Sequence, residues 1–505
     1  METRPERSQT VESQGAKKDK EGTFGSRSNF IVVLVMILGV FVAILNETLL
    51  NVALSKIMAD IGVLPSKAQW LTTGYLLVIG VLIPVTAYLI QRFTTRSLFL
   101  TAMGLFTAGT FVAAVAPGFE ALLAGRILQA AGTGLLFPLL TNVVFATVPI
   151  EKRGSAMGMI GIVITFAPAI GPTLSGIIVE HFSWRLLFYS VLPVALFVIA
   201  FAYVKLRNVT ETTNPKIDLL SLLLSTLGFG GLVYGFSSAG EGHGGWTSSA
   251  VYVPIGTGVV SLALFTWRQL TLEQPLLDLR TFKYNVFRMS TLIMIIVMMA
   301  MFSAMMLLPI YLQNALSYSP LEAGLIMLPG GVVMGIMSPV TGRLFDKFGA
   351  KWLAVVGLGL IAASLWQFAF LSVSTPYFTI MIFNTLLMLG ISMLMMPVMT
   401  NALNELPSRL YPHGTAIIST LQQVAGAVGT ALLVTIMTNG SKRYLELLGV
   451  SADDKEMQIL AMMAGMKSAF LLAFALVAVA WAVSFMLKRS VPPEGELEGS
   501  RATAH

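Results

Sequence analysis

Apolar stretches of roughly 20 residues follow one another along almost the whole chain, each long enough to cross about 30 Å of hydrocarbon. No other feature narrows the fold so far. Inside a bilayer every backbone N–H and C=O must be satisfied by the protein itself, which leaves α-helices or closed barrels. The runs are continuous rather than short and alternating, and this excludes an outer-membrane barrel. Of the 505 residues, 55% are hydrophobic and only 11% are charged, with a mean hydropathy of +0.79. A soluble domain carries about a quarter charged residues. The expected class is therefore an all-α polytopic membrane protein.

Fourteen spans are expected, the first six near 29–54, 68–90, 97–116, 119–147, 155–179 and 185–206. Two more fall near 217–238 and 251–269, and the last six near 288–313, 320–342, 351–372, 376–401, 414–437 and 467–487. The net charge of +7 is concentrated in short connections, among them 91–96, 151–153, 205–216, 268–288 and 343–351. Basic loops stay on the cytoplasmic side, so both termini are expected in the cytoplasm of a plasma-membrane protein, and nucleic-acid binding is not expected. The polar segment 1–28 lacks the early apolar core of a signal peptide and reads as a disordered cytoplasmic tail. Residues 488–505 read as a second such tail, and 439–466 as an extracellular loop, a connector in preference to a short helix. No cysteine is present, which removes disulfide, zinc and thiol chemistry.

One internal repeat is legible. Residues 342–351 read "GRLFDKFGAK" and residues 87–96 read "AYLIQRFTTR", each after the second span of a six-span set. Residues 29–206 and 288–487 are therefore expected to form two six-helix bundles, with 207–287 inserted between them as two extra helices. Two related halves around a mid-membrane site is a common plan of secondary transporters.

These residues carry a family resemblance over roughly 28–490. The loop pattern G-x-L-x-D-R/K-x-G-R/A-K/R of the major facilitator superfamily is intact at Gly342, Leu344, Asp346, Lys347, Gly349 and Lys351. In the earlier copy Ala87, Gln91 and Thr94 replace its Gly, Asp and second Gly, while Arg92 and Arg96 remain. "LLAGRILQAAGTGLLFP" resembles the fourth-span motif through Arg126, Gln129, Gly132 and Gly134. "GIVITFAPAIGPTLSG" resembles the antiporter motif of the fifth span through Gly161, Ala167, Gly171, Pro172 and Gly176. "LNETLLNVAL" resembles the first-span signature L-D-x-T-x-x-N-V-A-L of the fourteen-span drug:proton antiporter branch. The resemblance implies the major facilitator fold, efflux rather than uptake, a proton-coupling role for Arg126, and gating by Gly171, Pro172, Arg92, Gly342, Asp346 and Lys347. It implies no cofactor.

The residues themselves support part of this. Glu47 stands in an apolar run about 25 Å along the helix from Phe30, and desolvation raises a carboxyl pKa. Such an acid can exchange a proton for a cationic ligand, or remain a permanently protonated residue bonded to another helix. The family signature has Asp where this chain has Asn46, so the acid has moved by one residue, about 100° around the helix. Asn46, Glu47, Gln129, Gln313 and Gln422 are the candidate substrate contacts. Asn314, Asn384, Asn401 and Gln423 are further polar candidates whose faces the sequence leaves open. Methionine-rich runs at 294–306 and 386–399 suit a surface that accommodates many shapes, although most of these residues are expected to face lipid or other helices. Asp218, Asp278, Glu322 and Glu405 fall at span ends and read as helix caps. His243 shows no metal-ligand spacing.

The leading expectation is a monomeric, proton-coupled multidrug exporter of amphipathic or cationic compounds. A lipid flippase, a metabolite exporter or a sodium:proton antiporter on the same fold is the alternative. No Walker loop, H-E-x-x-H pair or G-x-S-x-G turn points to an enzyme or to ATP as the energy source.

Overall fold

The computed structural model describes residues 27–63, 65–68, 70–210, 212–213, 218–240, 246–448 and 455–490. The expected tails at 1–26 and 491–505, and His243, lie outside the described residues. Among those described, fourteen helices have twenty residues or more. In chain order the first eight are α1 Arg27–Ile61, α2 Trp70–Arg92, α3 Thr95–Ala114, α4 Phe119–Thr147, α5 Arg153–His181, α6 Arg185–Lys205, α7 Leu219–Gly240 and α8 Ser249–Thr271. The last six are α9 Asn285–Ile310, α10 Pro320–Phe348, α11 Ala350–Ala369, α12 Tyr377–Asn404, α13 Tyr411–Leu448 and α14 Lys455–Ser484. Thirteen are long and apolar enough to cross a membrane by length and composition. The other, α5, is 29 residues long and carries its charges at its ends, so fourteen crossings are compatible with the structure.

Side chains near the boundaries explain where helices begin. Ser319 and Glu322 form a reciprocal capping box at the start of α10. Thr94 caps α3 through Ser97 N–H, and Asp218 accepts from Ser221 at the start of α7. Asp278 caps the short turn Leu279–Lys283, and Glu405 accepts from Phe287 N–H at 2.9 Å. The span-end acids thus satisfy backbone donors that a helix start leaves open. Gly349, at φ +79°, makes the sharp α10–α11 corner.

The segment 439–466 differs from the loop expected there. Helix α13 runs on through Leu448, and α14 begins at Lys455. Charged residues end the apolar run but do not end a helix. "SKRYLELL" contains good helix formers and no proline, and Gly440 packs directly on Gly465 of α14.

Packing within the first six helices pairs α1 with α4, α5 and α6, α2 with α4, and α3 with α4 and α6; raising each label by eight gives pairs that α9 to α14 also make, to which the second lobe adds α13 against α14. The chain therefore builds the same six-helix arrangement twice. Between the two lobes, α5 packs on α10 and α12, and α13 packs on α2 and α4. The inserted α7 packs on α8 and lies over both α2 and α13, covering one lateral seam. The opposite seam, α5 against α10, has no comparable cover among the described residues. One end of the bundle carries Arg92, Arg153, Arg343 and Lys347 and is its basic face.

Candidate functional site

About two turns into α4 from the opposite face lies a buried polar nucleus. Arg126, 1% exposed, donates from Nη1 to Asn46 Oδ1 of α1 at 3.2 Å and to Gln129 Oε1 at 2.9 Å. Its Nε approaches the Leu71 carbonyl of α2 at 3.4 Å, and its guanidinium lies 4.0 Å from the ring centroid of Tyr75. Gln129 donates onward to Thr110 Oγ1 of α3 at 2.8 Å, and Tyr75 donates to Thr133 Oγ1 at 2.9 Å. Four helices of one lobe thus surround a single cation with neutral acceptors. A buried charge is costly unless it is compensated, and Glu47 is the carboxyl within electrostatic reach of Arg126 and Tyr75.

Glu47 is half-buried on α1. Its neighbours fix its direction. Asn46 points to α4, whereas Thr48 Oγ1 points to α5 and approaches the Ala167 carbonyl at 3.5 Å. At about 100° per residue, Glu47 projects between those two helices. The amide holds the arginine directly, and the acid stands beside the pair. Asn46 and Gln129 are 2% and 0% exposed and both are bonded to Arg126.

The other candidates are scattered. Gln313 and Asn314 are exposed in the π-helical turn Tyr311–Ala315 at the end of α9. Gln422 and Gln423 are half-buried on α13. Asn401 is used structurally, donating to the Lys488 carbonyl and accepting from Ser490 N–H. Asn384 is buried on α12, where its Nδ2 approaches the Met327 carbonyl at 3.4 Å and its Oδ1 has no partner. Gly171 packs on Thr48 of its own lobe; the side chains of Pro172 and Asn51 lie outside the described residues. Of the small residues in the fifth-span motif, Gly161 is the one set against Ser338 and Met396 of the other lobe.

At the basic face the lobes are joined by two contacts related by the repeat. In the first, Asp346 at the end of α10 accepts from Gly154 N–H and Ser155 N–H, both at 2.8 Å, and from Ser155 Oγ. A carboxylate of one lobe caps the N-terminus of a helix in the other, where the helix dipole favours negative charge. Gly342 and Gly154 are in backbone contact beside it, leaving no room for a Cβ on either. Lys347 and Arg92 are exposed, Lys347 lying over the Phe348 ring. In the second contact, Gln91 Nε2 lies 3.0 Å from His413 Nε2 at the start of α13.

Sequence reasoning missed Arg153, which sits between these contacts. It is 6% exposed and donates from Nη1 to Asn404 Oδ1 at 2.9 Å and to the Tyr411 hydroxyl at 3.0 Å, both in the other lobe. Phe145 and Tyr411 flank its guanidinium at 4.8 and 5.1 Å. The signal available was an arginine directly before an apolar run, which is equally the mark of a basic loop.

Known proteins resemble this chain in sequence and in fold. The chain is 48% identical over 458 residues to the "Lincomycin resistance protein LmrB" of Bacillus subtilis (strain 168), spanning 91% of this chain and 95% of that protein. It is 46% identical to the protein of the same name from Listeria monocytogenes, over 93% and 99% of the two chains. Among solved structures, the proton:xylose symporter XylE superposes with a TM-score of 0.64 at 15% identity, covering 94% of this chain and all of that one, which is likeness of fold alone. With the Major Facilitator Superfamily model matching residues 36–430, the chain belongs to that superfamily of membrane transporters.

Proposed function

We propose that the protein exports amphipathic, often cationic, organic compounds across the cell membrane in exchange for protons, by alternating access between its two six-helix lobes. The basic face is cytoplasmic in this reading, with both termini inside. The conformation is then closed toward the cytoplasm by Asp346, Arg153 and Gln91. In this reading the lobes are the segments 29–206 and 288–487, with 207–287 inserted between them.

The observation that carries the reading is a half-buried Glu47 next in the chain to Asn46, which accepts from a buried Arg126 whose direct partners are all neutral. One acid facing one fixed positive charge has two ways to be satisfied. Ionised, it compensates the arginine and attracts a cation; protonated, it releases that cation. Occupancy by proton and by cargo is then mutually exclusive, and that exclusion is sufficient for exchange. The names of the similar proteins support drug-like cargo, and the methionine-rich runs of α9 and α12 suit variable shapes.

The test is efflux of ethidium and of lincomycin from cells, with and without a proton ionophore, for the native chain and for Glu47→Gln. Export is expected to collapse with the ionophore. In Glu47→Gln, gradient-driven export should fall about a hundredfold, the lower end of what one positioned proton-transfer group contributes. Export by Glu47→Gln at the native rate would move coupling away from this residue, and ionophore-resistant export would refute proton exchange.

A further inference from the structure

The two lobe-to-lobe contacts at the basic face are unequal, and the inserted helix pair sits on the weaker one. Helix α5 begins Arg153-Gly154-Ser155-Ala156, and the matching turn of α13 reads His413-Gly414-Thr415-Ala416. Asp346 bonds the hydroxyl of Ser155. In the second contact Gln91 stands where Asp346 stands in the first, and the buried Thr415 Oγ1 has no partner. One carboxylate and its bonds are therefore absent from the second clasp.

Both chain segments that splice in the insertion converge there. The α6–α7 linker is held to the end of α2: Thr213 N–H donates to the Gln91 carbonyl at 2.8 Å, Thr210 Oγ1 lies 2.8 Å from Thr95 Oγ1, and Asn208 Oδ1 accepts from Arg96 N–H. The α8–α9 linker is held to the other lobe, where Asp278 N–H donates to His413 Nδ1 at 3.3 Å. Gln91 Nε2 also donates to the Ala87 carbonyl of its own helix at 3.1 Å, so its amide is shared between the end of α2 and the imidazole.

A buried chain continues from the linker into the insertion. Leu277 N–H donates to Gln269 Oε1 at 3.2 Å, Gln269 Nε2 to Ser221 Oγ at 2.6 Å, and Ser221 Oγ to Asp218. Arg268 closes it with a two-point bond to Asp218 at 2.6 and 3.0 Å. At the opposite end of the seam the insertion again grips both lobes. Tyr234 stacks on Trp70 of α2 at 5.6 Å between centroids, and Trp246 Nε1 donates to Thr435 Oγ1 of α13 at 2.6 Å.

We propose that the inserted pair α7–α8 is a strap across the α2–α13 seam that holds the lobes together at the basic face, supplying through its linkers the bonds that Gln91 does not make. Its positioning residues are Gln269, Asp278 and His413. The strap bears on which face is open, and its test reads distance rather than transport, so it can fail while export by proton exchange stands, and the reverse.

Because the chain has no cysteine, spin labels at Ser97→Cys in α3 and Trp352→Cys in α11 are unique reporters across the basic face. Pulsed dipolar distances are measured on the purified full chain in lipid nanodiscs for four proteins: native, Gln269→Leu, Gln91→Asp, and the double variant. Gln269→Leu is expected to raise the separated-lobe population about five-fold, the scale of one net buried hydrogen bond, while the protein stays monodisperse. Gln91→Asp, which rebuilds a carboxylate at the second clasp, should abolish that sensitivity in the double variant. An unchanged distance distribution in monodisperse Gln269→Leu would overturn the proposal. So would an equal five-fold rise with and without Gln91→Asp, because the insertion would then act on folding and not on this clasp. Should Gln269→Leu not yield folded protein, Ser221→Ala, which breaks the same chain with a smaller change, is read against the same two outcomes.

Discussion

The Asp346 contact and the Gln91 contact are built on the same repeat and joined by different chemistry. At the first, a carboxylate takes three hydrogen bonds from the start of α5, and backbones touch where Gly342 meets Gly154. At the second, a neutral amide meets a neutral imidazole and a hydroxyl is left without a partner. Charge-assisted bonds are roughly twice as strong as neutral ones. A duplicated fold can thus distribute its closure energy unevenly, and one seam can carry an added layer while the other stays bare.

The largest expected effect lies at the first contact. Asp346→Ala leaves two backbone donors and a hydroxyl unpaired at the start of α5, a cost of about 2–4 kcal/mol. It should convert much of the population to lobes separated at the basic face, read by the same label pair. Asp346→Asn keeps an acceptor and should lie between that variant and the native chain.

Arg153→Lys comes next. Lysine cannot reproduce a guanidinium that reaches Asn404 and Tyr411 from Nη1 while Nε and Nη2 hold the Val148 and Phe145 carbonyls, or the sandwich between Phe145 and Tyr411. A loss of about 1–2 kcal/mol of closure is expected, measured as a larger open fraction with the helical content unchanged.

Gln91→Asp alone tests the comparison from the other side. Giving Thr415 and the start of α13 a carboxylate should favour the closed state by about 1 kcal/mol. The readouts are a raised unfolding temperature and slower opening. An unchanged or lowered temperature would mean that the second contact cannot accept the chemistry of the first.

The smallest effect concerns acid. Hydrogen bonds from Arg268, with burial opposing them, hold the Asp218 carboxyl well below the ordinary carboxylate range. A depressed carboxyl contributes stability that is present above its unfolded value and lost only as pH falls through the folded one. Lowering the pH from 7 to about 4, the ordinary aspartate value, should therefore leave the α7–α8 anchor intact, with the distance between labels on Leu220→Cys and Leu270→Cys unchanged.

Much of the architecture was legible because hydrocarbon imposes it. Apolar runs of span length give helices, and a recurring basic connection gives the duplication, which reappears as pairings of α1–α6 repeated by α9–α14. The candidate site was legible in part. Arg126 and Asn46 stand in one network because an arginine inside a span needs acceptors. Gln129 reads in the sequence as a ligand contact, and in the fold its carboxamide accepts from the arginine, since a buried guanidinium takes whichever carboxamides lie within reach. Arg153 and His413 were not legible, because a basic residue at a helix start reads as a loop charge until another lobe is found packed against it. Residues 441–448 read as connector, and they are helix because local propensity outlasts the apolar pattern.

By itself the sequence determined the helical class, the duplication, the family and the presence of an acid on the first span. Each follows from solvation or from a local pattern, and neither needs a partner. Which way Glu47 faces, what holds Arg126, which lobe contact carries a carboxylate, and which seam the inserted pair covers were decided only in three dimensions. Those are relations between residues tens or hundreds of positions apart, and a helix of given composition can turn any face to its neighbours until packing selects one.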